Sequence, residues 1–444
     1  MKSYLIFGLG TSGISSLNLL LNKKDKFYLY DDSKENREEI YQKYSSYKNV
    51  FGIEILDDTI LDMMDTIILS PSISINDDRL KKAKKMGKEV ISELELGFRH
   101  AKSKIIAITG TNGKTTTTSL IYNILSTAHK KCAVAGNIGY PLSSAVRDIR
   151  GGYIVTEVSS FQLEGVKNFK PYIACLLNIT PDHLDRHGSM KTYCDLKYSI
   201  FKNMTKHSFA ILNDNLPEIK NFHGKRLKFS HKSQKNCVFN ENGKIYLSLG
   251  NKKEYIMPAT CIKLKGEYNL ENVLCAILVA KLCHVKNKYI ISAIENFQPD
   301  KHRLEKVYEV DGNIFYDDSK ATNVDATFKA VQTLYQAGKI RLIMGGSDKG
   351  ENYDFLCSQL SQKVSHVYIT GDNKHKIATS FDGCGFKNYT MCINFNDAVT
   401  KALNDLNSGD ILLLSPASAS FDEFSSYKQR GDKFLEIIKH YYEK

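Results

Sequence analysis

The sequence predicts an α/β fold of three domains with mostly parallel sheets. A chain of 444 residues is long enough for about three ordinary cores. Two separate strand, glycine-loop and helix units follow one another, FGLGTSG near the start and GTNGKTT near residue 110, and the alternation of strands and helices restarts after residue 298. We therefore expect a Rossmann-like domain over 1–93, a P-loop ATPase-like domain over 94–298 and a second Rossmann-like domain over 299–444.

The first glycine loop predicts a nucleotide-binding βαβ unit. A short apolar strand leads into GLGTSG, an amphipathic helix follows, and FYLYDD forms the second strand. Glycines allow a tight turn there, and the helix N-terminus offers N–H groups to an anion. Asp31 and Asp32 end the second strand, where a carboxylate can accept hydrogen bonds from ribose or a base. An ordinary α/β turn can carry the same glycine pattern, so both interpretations stay open at this point.

The second glycine loop predicts a phosphate cradle. In such a loop backbone N–H groups approach the phosphates, Lys114 reaches the β and γ oxygens, and Thr115 ligates Mg²⁺. Ile108 stands where the general P-loop pattern has its first glycine, and a threonine-rich helix cap is the alternative. The cradle residues are Gly110, Thr111, Asn112, Gly113, Lys114, Thr115 and Thr116.

Two residues that follow the second glycine loop in the sequence are candidate ligands for magnesium. Glu157 ends the strand YIVTE and is a candidate magnesium ligand. Lys197 lies four residues after Tyr193 and four before Phe201, in the middle of an apolar helix stripe. A buried ammonium is costly unless it is paired or modified, and carbamylation by CO₂ would turn it into an anion that can hold Mg²⁺. A lysine that reaches out to solvent from a half-buried face is the alternative.

Composition excludes several classes of function. The net charge of +12 is spread over lysine-rich stretches, with no basic block interleaved with aromatic residues, so neither nucleic acid nor a membrane is an expected partner. An excess of cations suits small anionic substrates. The ten cysteines show no CxxC pattern or zinc spacing, and no segment is apolar enough to span a membrane. We expect a cytoplasmic monomer with reduced thiols.

Six motifs in order resemble the Mur ligases, the ATP-dependent amino-acid ligases of peptidoglycan synthesis. They are GTNGKTTT, GNIG, TEVSSFQLE, NITPDHLDRHG, HRLE and DDSKATN, and the resemblance covers essentially the whole chain. DDSKATN and LLSPASASFDEF are most similar to the members that add D-glutamate. The resemblance implies that UDP-N-acetylmuramoyl-L-alanine is phosphorylated by ATP at its terminal carboxylate. The amine of D-glutamate then attacks the acyl phosphate to form a tetrahedral intermediate.

The resemblance also implies roles for residues that match the family motifs. The implied catalytic residues are Lys114, Asn137, His183, Lys197 and Lys320. Further implied contacts to ATP come from Asn269, Asn272, Arg303 and Asp318. Two Mg²⁺ ions would be held by Thr115, Glu157, His183 and Lys197 as its carbamate.

The two remaining substrates are implied to bind in the outer domains. The uridine-diphosphate substrate would contact Ser12, Asp31, Asp32, Ser70, Ser72 and Asn137, and D-glutamate would contact Thr322, Lys349, Ser420 and Tyr427. The chain departs from the family pattern at the uridine end. Asp32 and Ser33 replace hydroxyl and basic residues that often follow the first aspartate, and Ser72 replaces a glycine.

Three other functions compete with this interpretation. A folate-glutamate ligase would share the P-loop and the lysine, but not the glycine-rich first domain. An NAD-dependent oxidoreductase would explain GLGTSG alone and leave the P-loop, Glu157 and His183 without a role. A nucleotide-gated binding module without catalysis would not need Lys197, His183 and Lys320 together.

Overall fold

The computed structural model describes residues 1–21, 24–220 and 222–443 and contains three mostly parallel sheets, which confirms the predicted α/β class. The chain packs into two compact units. The first consists of Met1–Ile179, Lys191–Lys263 and Glu271–Phe297 and holds two sheets. The second consists of Thr180–Met190, Leu264–Leu270 and Gln298–Lys444 and holds the third. The domain boundaries expected after residues 93 and 298 stay predictions.

The first sheet has five parallel strands in the order β3-β2-β1-β4-β5. The strands are β1 Ser3–Phe7, β2 Lys26–Tyr30, β3 Val50–Gly52, β4 Thr66–Leu69 and β5 Glu89–Ser92. The helices are α1 Thr11–Leu20, α2 Lys34–Tyr44, α3 Asp58–Asp62, α4 Asp78–Lys85 and α5 Glu93–His100. The strand order reverses between β1 and β4. A crevice at the carboxyl ends of such a pair is where open α/β sheets bind ligands.

The second sheet has nine strands in the order β14-β13-β12-β11-β10-β9-β6-β8-β7. The parallel strands are β6 Lys104–Thr109, β7 Cys132–Gly136, β8 Tyr153–Glu157, β9 Ile173–Leu176, β10 Phe209–Asn213, β11 Lys225–Ser230 and β12 Cys237–Glu241; β13 Lys244–Leu249 and β14 Lys252–Pro258 are antiparallel additions. The helices along this stretch are α6 Lys114–Thr127, α7 Leu142–Asp148, α8 Ser160–Leu163, α9 Leu184–His187, α10 Met190–Tyr198, α11 Glu267–Leu282 and α12 Asn287–Glu295. Buried apolar residues on both faces of β6, β8 and β9 make this the core.

The third sheet has six strands in the order β15-β16-β20-β17-β18-β19. The strands are β15 Glu305–Val310, β16 Asn313–Asp317, β17 Ile340–Gly345, β18 Val364–Thr370, β19 Tyr389–Met391 and β20 Ile411–Leu414; the helices are α13 Val324–Leu334, α14 Asp354–Leu360, α15 Lys374–Gly383, α16 Phe395–Asn404 and α17 Tyr427–Tyr442. The sequence predicts β16, β17, β18 and β20. The edge strands β15, which is antiparallel, and β19 carry largely half-buried or exposed residues, so they lack the apolar run that marks a central strand. Among the described residues, no helix is both long and apolar enough to cross a bilayer.

Within the first unit, a buried carboxylate on α5 joins this helix to the segment 167–169 before β9. Glu95 on α5 is 0% exposed. Its two oxygens accept hydrogen bonds from the backbone amides of Lys167, Asn168 and Phe169 at 2.9–3.1 Å, and Oε1 also accepts from Arg99 Nε at 2.9 Å. Four donors on one carboxylate offset the cost of burying its charge.

Glu95→Gln should lower the stability of the first unit. The amide keeps one acceptor oxygen and turns an N–H donor towards groups that are themselves donors, which costs roughly 2–3 kcal/mol. Urea denaturation monitored by circular dichroism would measure the loss. The exposed Glu54→Gln is the matched control and should change stability by less than about 0.5 kcal/mol. Equal stabilities for the two variants would contradict this account of Glu95.

Candidate active site

The second glycine loop joins β6 to α6 and turns on Gly113. Gly113 has φ +83° and precedes the first residue of the helix, and a Cβ there would lie 2.3 Å from Asn272 Oδ1. Glycine is therefore required both by the backbone conformation and by the close approach of Asn272. Asn272 is buried, and its Oδ1 accepts a hydrogen bond from Thr117 Oγ1 at 3.1 Å.

Asn178, which follows β9, holds the loop from its other side. Its Oδ1 accepts from the Asn112 amide at 2.8 Å, its Nδ2 donates to the Asn112 carbonyl at 3.0 Å, and its own carbonyl accepts from the Thr111 amide at 3.0 Å. The Thr111 hydroxyl lies 3.1 Å from Tyr193 OH. Thr115 and Thr116 are buried in the first turn of α6. These hydrogen bonds fix the conformation of the loop.

Two lysine side chains donate to the same carbonyl oxygen in this loop. Lys114 Nζ lies 2.9 Å from Gly110 O, and Lys197 Nζ lies 2.8 Å from that atom. Lys114 also donates to the Thr111 carbonyl at 2.7 Å, and Lys197 lies 4.6 Å from the centre of the Tyr193 ring. Lys197 is 1% exposed, so it does not reach solvent as the alternative interpretation expected. Two ammonium groups on one oxygen repel each other in a region of low dielectric constant.

Glu157, at the end of β8, provides a carboxylate in the same unit. It is buried, and its Oε1 accepts from Asn137 Nδ2 at 3.1 Å. Its Oε2 is buried without a hydrogen-bond partner among the residues that the structure describes. A buried carboxylate oxygen of this kind can take a metal ion as its partner. The carboxylate of Glu157 and the hydroxyl of Thr115 are both oxygen donors, the ligand type that Mg²⁺ prefers.

His183 belongs to the second unit, at the start of α9. Its backbone has φ +53°, and its Nε2 lies 3.6 Å from Asp182 Oδ2. Asp182 is buried, and its Oδ2 accepts a hydrogen bond from Asn323 Nδ2 at 3.2 Å. Asn323 is the last residue of the DDSKATN motif. Glu351 Oε2 accepts from the Val324 amide at 3.1 Å. Burial, followed by the charge of Asp182, raises the pKa of Glu351 to about 8.

Asp318, a predicted ATP contact, lies at the carboxyl end of β16. Asp318 is buried; its Oδ1 accepts from the Leu304 amide at 3.0 Å and its Oδ2 from Ser415 Oγ at 2.8 Å. Burial raises the pKa of Asp318 to about 7. His302 Nδ1 lies 2.6 Å from Asp317 Oδ2, and the pKa of His302 is raised mainly by this hydrogen bond. These contacts hold the segment with Arg303 against β16.

The four predicted D-glutamate residues lie on three segments at the same edge of the third sheet. Thr322 follows β16, Lys349 follows β17, and Ser420 and Tyr427 follow β20. Lys320 Nζ lies 5.1 Å from the centre of the Tyr427 ring, and Ser319 Oγ donates to the Tyr427 carbonyl at 2.8 Å. The bond between Glu351 and Val324 joins the segment of Lys349 to that of Thr322.

Polar residues at the crevice of the first sheet are engaged with one another. Asp31 accepts from the amides of Leu9 at 2.6 Å and Ser33 at 2.9 Å, so it fixes the glycine loop to the end of β2. Ser70 Oγ donates to the Gly8 carbonyl at 2.7 Å. Ser12 is half-buried in α1 and Ser72 is exposed.

Arg79, which the sequence analysis did not select, is the central cation of this crevice. It donates to Asp32 Oδ1 at 2.7 Å and Oδ2 at 3.2 Å, to both carboxylate oxygens of Asp77, and to Tyr30 OH at 3.1 Å. Its guanidinium carbon lies 4.7 Å from the centre of the Phe7 ring. These hydrogen bonds keep the pKa of Asp32 below its usual value.

Comparison with known proteins identifies the family. Three domain models match: Mur ligase MurD-like, N-terminal domain, over 2–92; Mur ligase middle domain over 108–280; and Mur ligase, glutamate ligase domain, over 302–418. A Caldicellulosiruptor bescii protein named UDP-N-acetylmuramoylalanine--D-glutamate ligase is 40% identical, over 98% of this chain and 97% of its own length. The chain belongs to the Mur ligase family. A protein of the same name from Koribacter versatilis is also 40% identical, over 99% of this chain and 97% of its own.

Solved Mur ligases share the fold of this Mur ligase at low identity. The MurF ligase of Thermotoga maritima, solved in complex with ADP, superposes with a TM-score of 0.62, 17% identity and 97% coverage of both chains. The UDP-N-acetylmuramate-alanine ligase MurC of the same organism gives a TM-score of 0.60, 18% identity and 99% coverage of both chains. These likenesses show that the chain has the fold of the solved Mur ligases.

Three polar residues of this Mur ligase that lie beside predicted site residues were missed from sequence. Arg79 pairs with Asp32, Glu351 contacts the residue after Asn323, and Arg430 on α17 donates to Ser319. Arg79 and Arg430 lie in charged helical stretches that are typical of solvated surfaces, and Glu351 lies in a polar loop. Only the fold brings them next to the motifs.

Asp318→Asn should change how stability depends on pH. The pKa of about 7 in the folded chain exceeds the ordinary value of 3.8, so the protonated form is favoured by folding. The contribution of Asp318 to the free energy of unfolding is fully present below about pH 4. It is lost as pH rises to about 7, and it amounts to a few kcal/mol. The asparagine side chain does not ionise, so the variant does not lose stability in this way. Its stability relative to the wild type should therefore rise between pH 5 and 7.

Urea midpoints at several pH values would measure this difference. Asp410→Asn is the matched control, because Asp410 is buried but accepts a hydrogen bond from Arg341 Nε at 2.8 Å. That variant should be less stable than the wild type throughout, since it weakens an ion pair. A constant difference between wild type and Asp318→Asn from pH 5 to 8 would show that Asp318 is already ionised.

Proposed function

We propose that this Mur ligase joins D-glutamate to UDP-N-acetylmuramoyl-L-alanine in an ATP-dependent, ADP-forming reaction of peptidoglycan precursor synthesis. The names of its relatives and the match to the glutamate ligase domain support this substrate assignment. The match to a MurD-like N-terminal domain over 2–92 favours it over a folate-glutamate ligase. The rigid second glycine loop, with Glu157 nearby in the same unit, favours it over an oxidoreductase.

The pair of lysines on the Gly110 carbonyl is the observation that carries the proposal. Their nitrogens lie 2.8 and 2.9 Å from one oxygen, so they are within about 6 Å of each other. The repulsion between the two groups becomes an attraction if one of them becomes an anion. Carbamylation of Lys197 would make it an oxygen ligand for a second Mg²⁺ and a counter-ion for Lys114. The sequence motif and this charge geometry support the modification independently.

The proposed chemistry starts from an unreactive carboxylate. An oxygen of the substrate carboxylate bonds to the γ-phosphorus of ATP as the bond to ADP breaks, and the phosphate becomes a leaving group. Lys114 and the second glycine loop would bind the phosphates, and Asn137 and His183 would lie beside the acyl phosphate. Thr115, Glu157, His183 and carbamylated Lys197 would hold the metal ions. Bound Mg²⁺ supplies charge neutralisation on the transferred phosphoryl group.

Amide formation requires the amino acid to be oriented with its amine free. The nitrogen of D-glutamate bonds to the carbonyl carbon and loses a proton to solvent, and phosphate leaves with the electrons of the broken carbon–oxygen bond. We assign Lys320, Lys349 and the hydroxyls of Thr322 and Ser420 to the carboxylates of D-glutamate, with Tyr427 beside them. Cationic and hydroxyl donors suit a dicarboxylate, and these residues share one edge of the third sheet.

The residues that contact the two nucleotide-containing substrates are assigned from their positions in the sequence motifs. Asn269, Asn272, Arg303 and Asp318 would contact ATP, and Ser12, Asp31, Asp32, Ser70 and Ser72 would contact the uridine-diphosphate substrate together with Asn137. The crevice between β1 and β4 supports the second assignment, since it lies at a change of strand order. We expect the protein to act as a cytoplasmic monomer.

Phosphate release from ATP is the test of the proposed function. The purified protein would be assayed with Mg²⁺ and UDP-N-acetylmuramoyl-L-alanine, with D-glutamate, L-glutamate or a diamino acid as acceptor. We expect release to depend on D-glutamate. Release with another amino acid would keep the ligase chemistry and overturn the substrate. Release with none of them would overturn the catalytic proposal, and only then would a binding module become the better explanation.

Lys197→Ala should reduce kcat by about 100-fold or more, because a charged group at the reacting phosphates is lost. Short carboxylic acids should partly restore activity, since they can replace the carbamate oxygens. Lys202→Ala, at an exposed position five residues on, is the control and should keep wild-type activity. Carbon-13 labelled bicarbonate should give a carbamate signal in the wild-type spectrum that is absent from the Lys197→Ala spectrum. No such signal, together with no rescue, would leave Lys197 as an unmodified lysine.

A further inference from the structure

Arg430 is a buried cation with no carboxylate partner in the part of the chain that the structure describes. It lies in the first turn of α17 and is 2% exposed. Its guanidinium donates to Ser319 Oγ at 3.0 Å and to the carbonyls of Ser319, Ser418 and Ala419 at 2.9–3.1 Å. Among the described residues, no carboxylate oxygen lies within 4.0 Å of a guanidinium nitrogen of Arg430, so Arg430 forms no salt bridge there. Burial lowers the pKa of Arg430 to about 10, which still leaves it charged at neutral pH.

This placement carries two unfavourable terms. A buried charge without a counter-ion is costly, and a cation at a helix N-terminus faces the positive end of the helix dipole. The nearby carboxylates have other partners. Asp317 accepts from His302 and from the Ser319 amide, and Asp422 Oδ1 accepts from Ser347 Oγ at 3.4 Å. The positive charge of Arg430 is therefore only partly balanced by the protein.

The acceptors of Arg430 are parts of the predicted D-glutamate site. Ser319 precedes Lys320, and Ser418 and Ala419 precede Ser420. The carbonyl of Ala419 accepts both from Arg430 Nη1 and from the Ser347 amide at 3.0 Å. Because the C=O and N–H of one peptide unit point in opposite directions, the Ser420 amide is turned away from these donors. Ser420 is buried, and no acceptor for its amide lies among the described residues.

We propose that Arg430 is a positioning residue of the amino-acid site, which fixes the loops of Lys320 and Ser420 and supplies a positive charge that a carboxylate of the incoming D-glutamate neutralises. This inference rests on the proposed function and adds to it the basis of selectivity for a dicarboxylate. The cation acts through the Ser319, Ser418 and Ala419 backbone and through its field. It makes no bond in the reaction.

The ratio of kcat/KM for D-glutamate to that for D-glutamine tests this role of Arg430. The two amino acids have nearly the same shape and differ by one negative charge. Arg430→Met should reduce the ratio of kcat/KM for D-glutamate to that for D-glutamine by about 100-fold, and Arg430→Lys by about tenfold, because lysine keeps the charge but not the planar fork. KM values for ATP and for the uridine substrate should change by less than about threefold. Arg430→Lys carries the test if the methionine variant does not fold.

Arg341 provides the matched control. It is a largely buried arginine of the same sheet, at the start of β17, and its Nε donates to Asp410 at 2.8 Å. Arg341→Lys should lower stability without changing the selectivity ratio.

Equal losses for D-glutamate and D-glutamine in both Arg430 variants would overturn the inference and leave the proposed function intact. No D-glutamate-dependent phosphate release by the wild type would overturn both.

Discussion

The carbonyl oxygen of Gly110 is the point on which the central domain depends. It accepts from Lys114, which begins α6, and from Lys197, which lies on α10 more than 80 residues later. A helix that carries a lysine in its apolar face can pack there only if the ammonium finds an acceptor. The glycine loop supplies that acceptor, and Asn178 and Asn272 hold the loop in place. The second glycine loop and the buried lysine therefore form one structural element.

The same logic places the remaining polar groups at the carboxyl ends of parallel strands. Glu157 ends β8, Asp317 ends β16, and Gly345 ends β17. Strand ends are where the backbone leaves the sheet, so side chains there can be buried and still face a crevice. Orphaned oxygens follow from this position, as at Glu157 Oε2. A buried carboxylate oxygen in this position can take a ligand atom as its partner.

Local pattern was sufficient to predict the fold class and the second glycine loop, because central strands and glycine loops are written in consecutive residues. The burial of Lys197 was also predictable, since it follows from helical spacing. The partners of the site residues were not predictable. Arg79 reaches Asp32 from 47 residues away, and Arg430 reaches Ser319 from 111 residues away. Each arginine lies in a charged helical segment, and only tertiary packing turns it towards the crevice.

The first domain shows how the fold can restore a charge that the sequence omits. The family pattern often has a basic residue after the first aspartate of FYLYDD, where this chain has Asp32 and Ser33. Arg79, next to the first residue of α4, brings a guanidinium to Asp32 and packs over Phe7. Its five N–H donors are all used by Asp32, Asp77 and Tyr30. A ligand in this crevice can therefore meet the guanidinium only across its face or by displacing an existing partner. The cation here orders carboxylates, whereas the protein balances the charge of Arg430 only in part. The two outer domains thus use arginine in different ways.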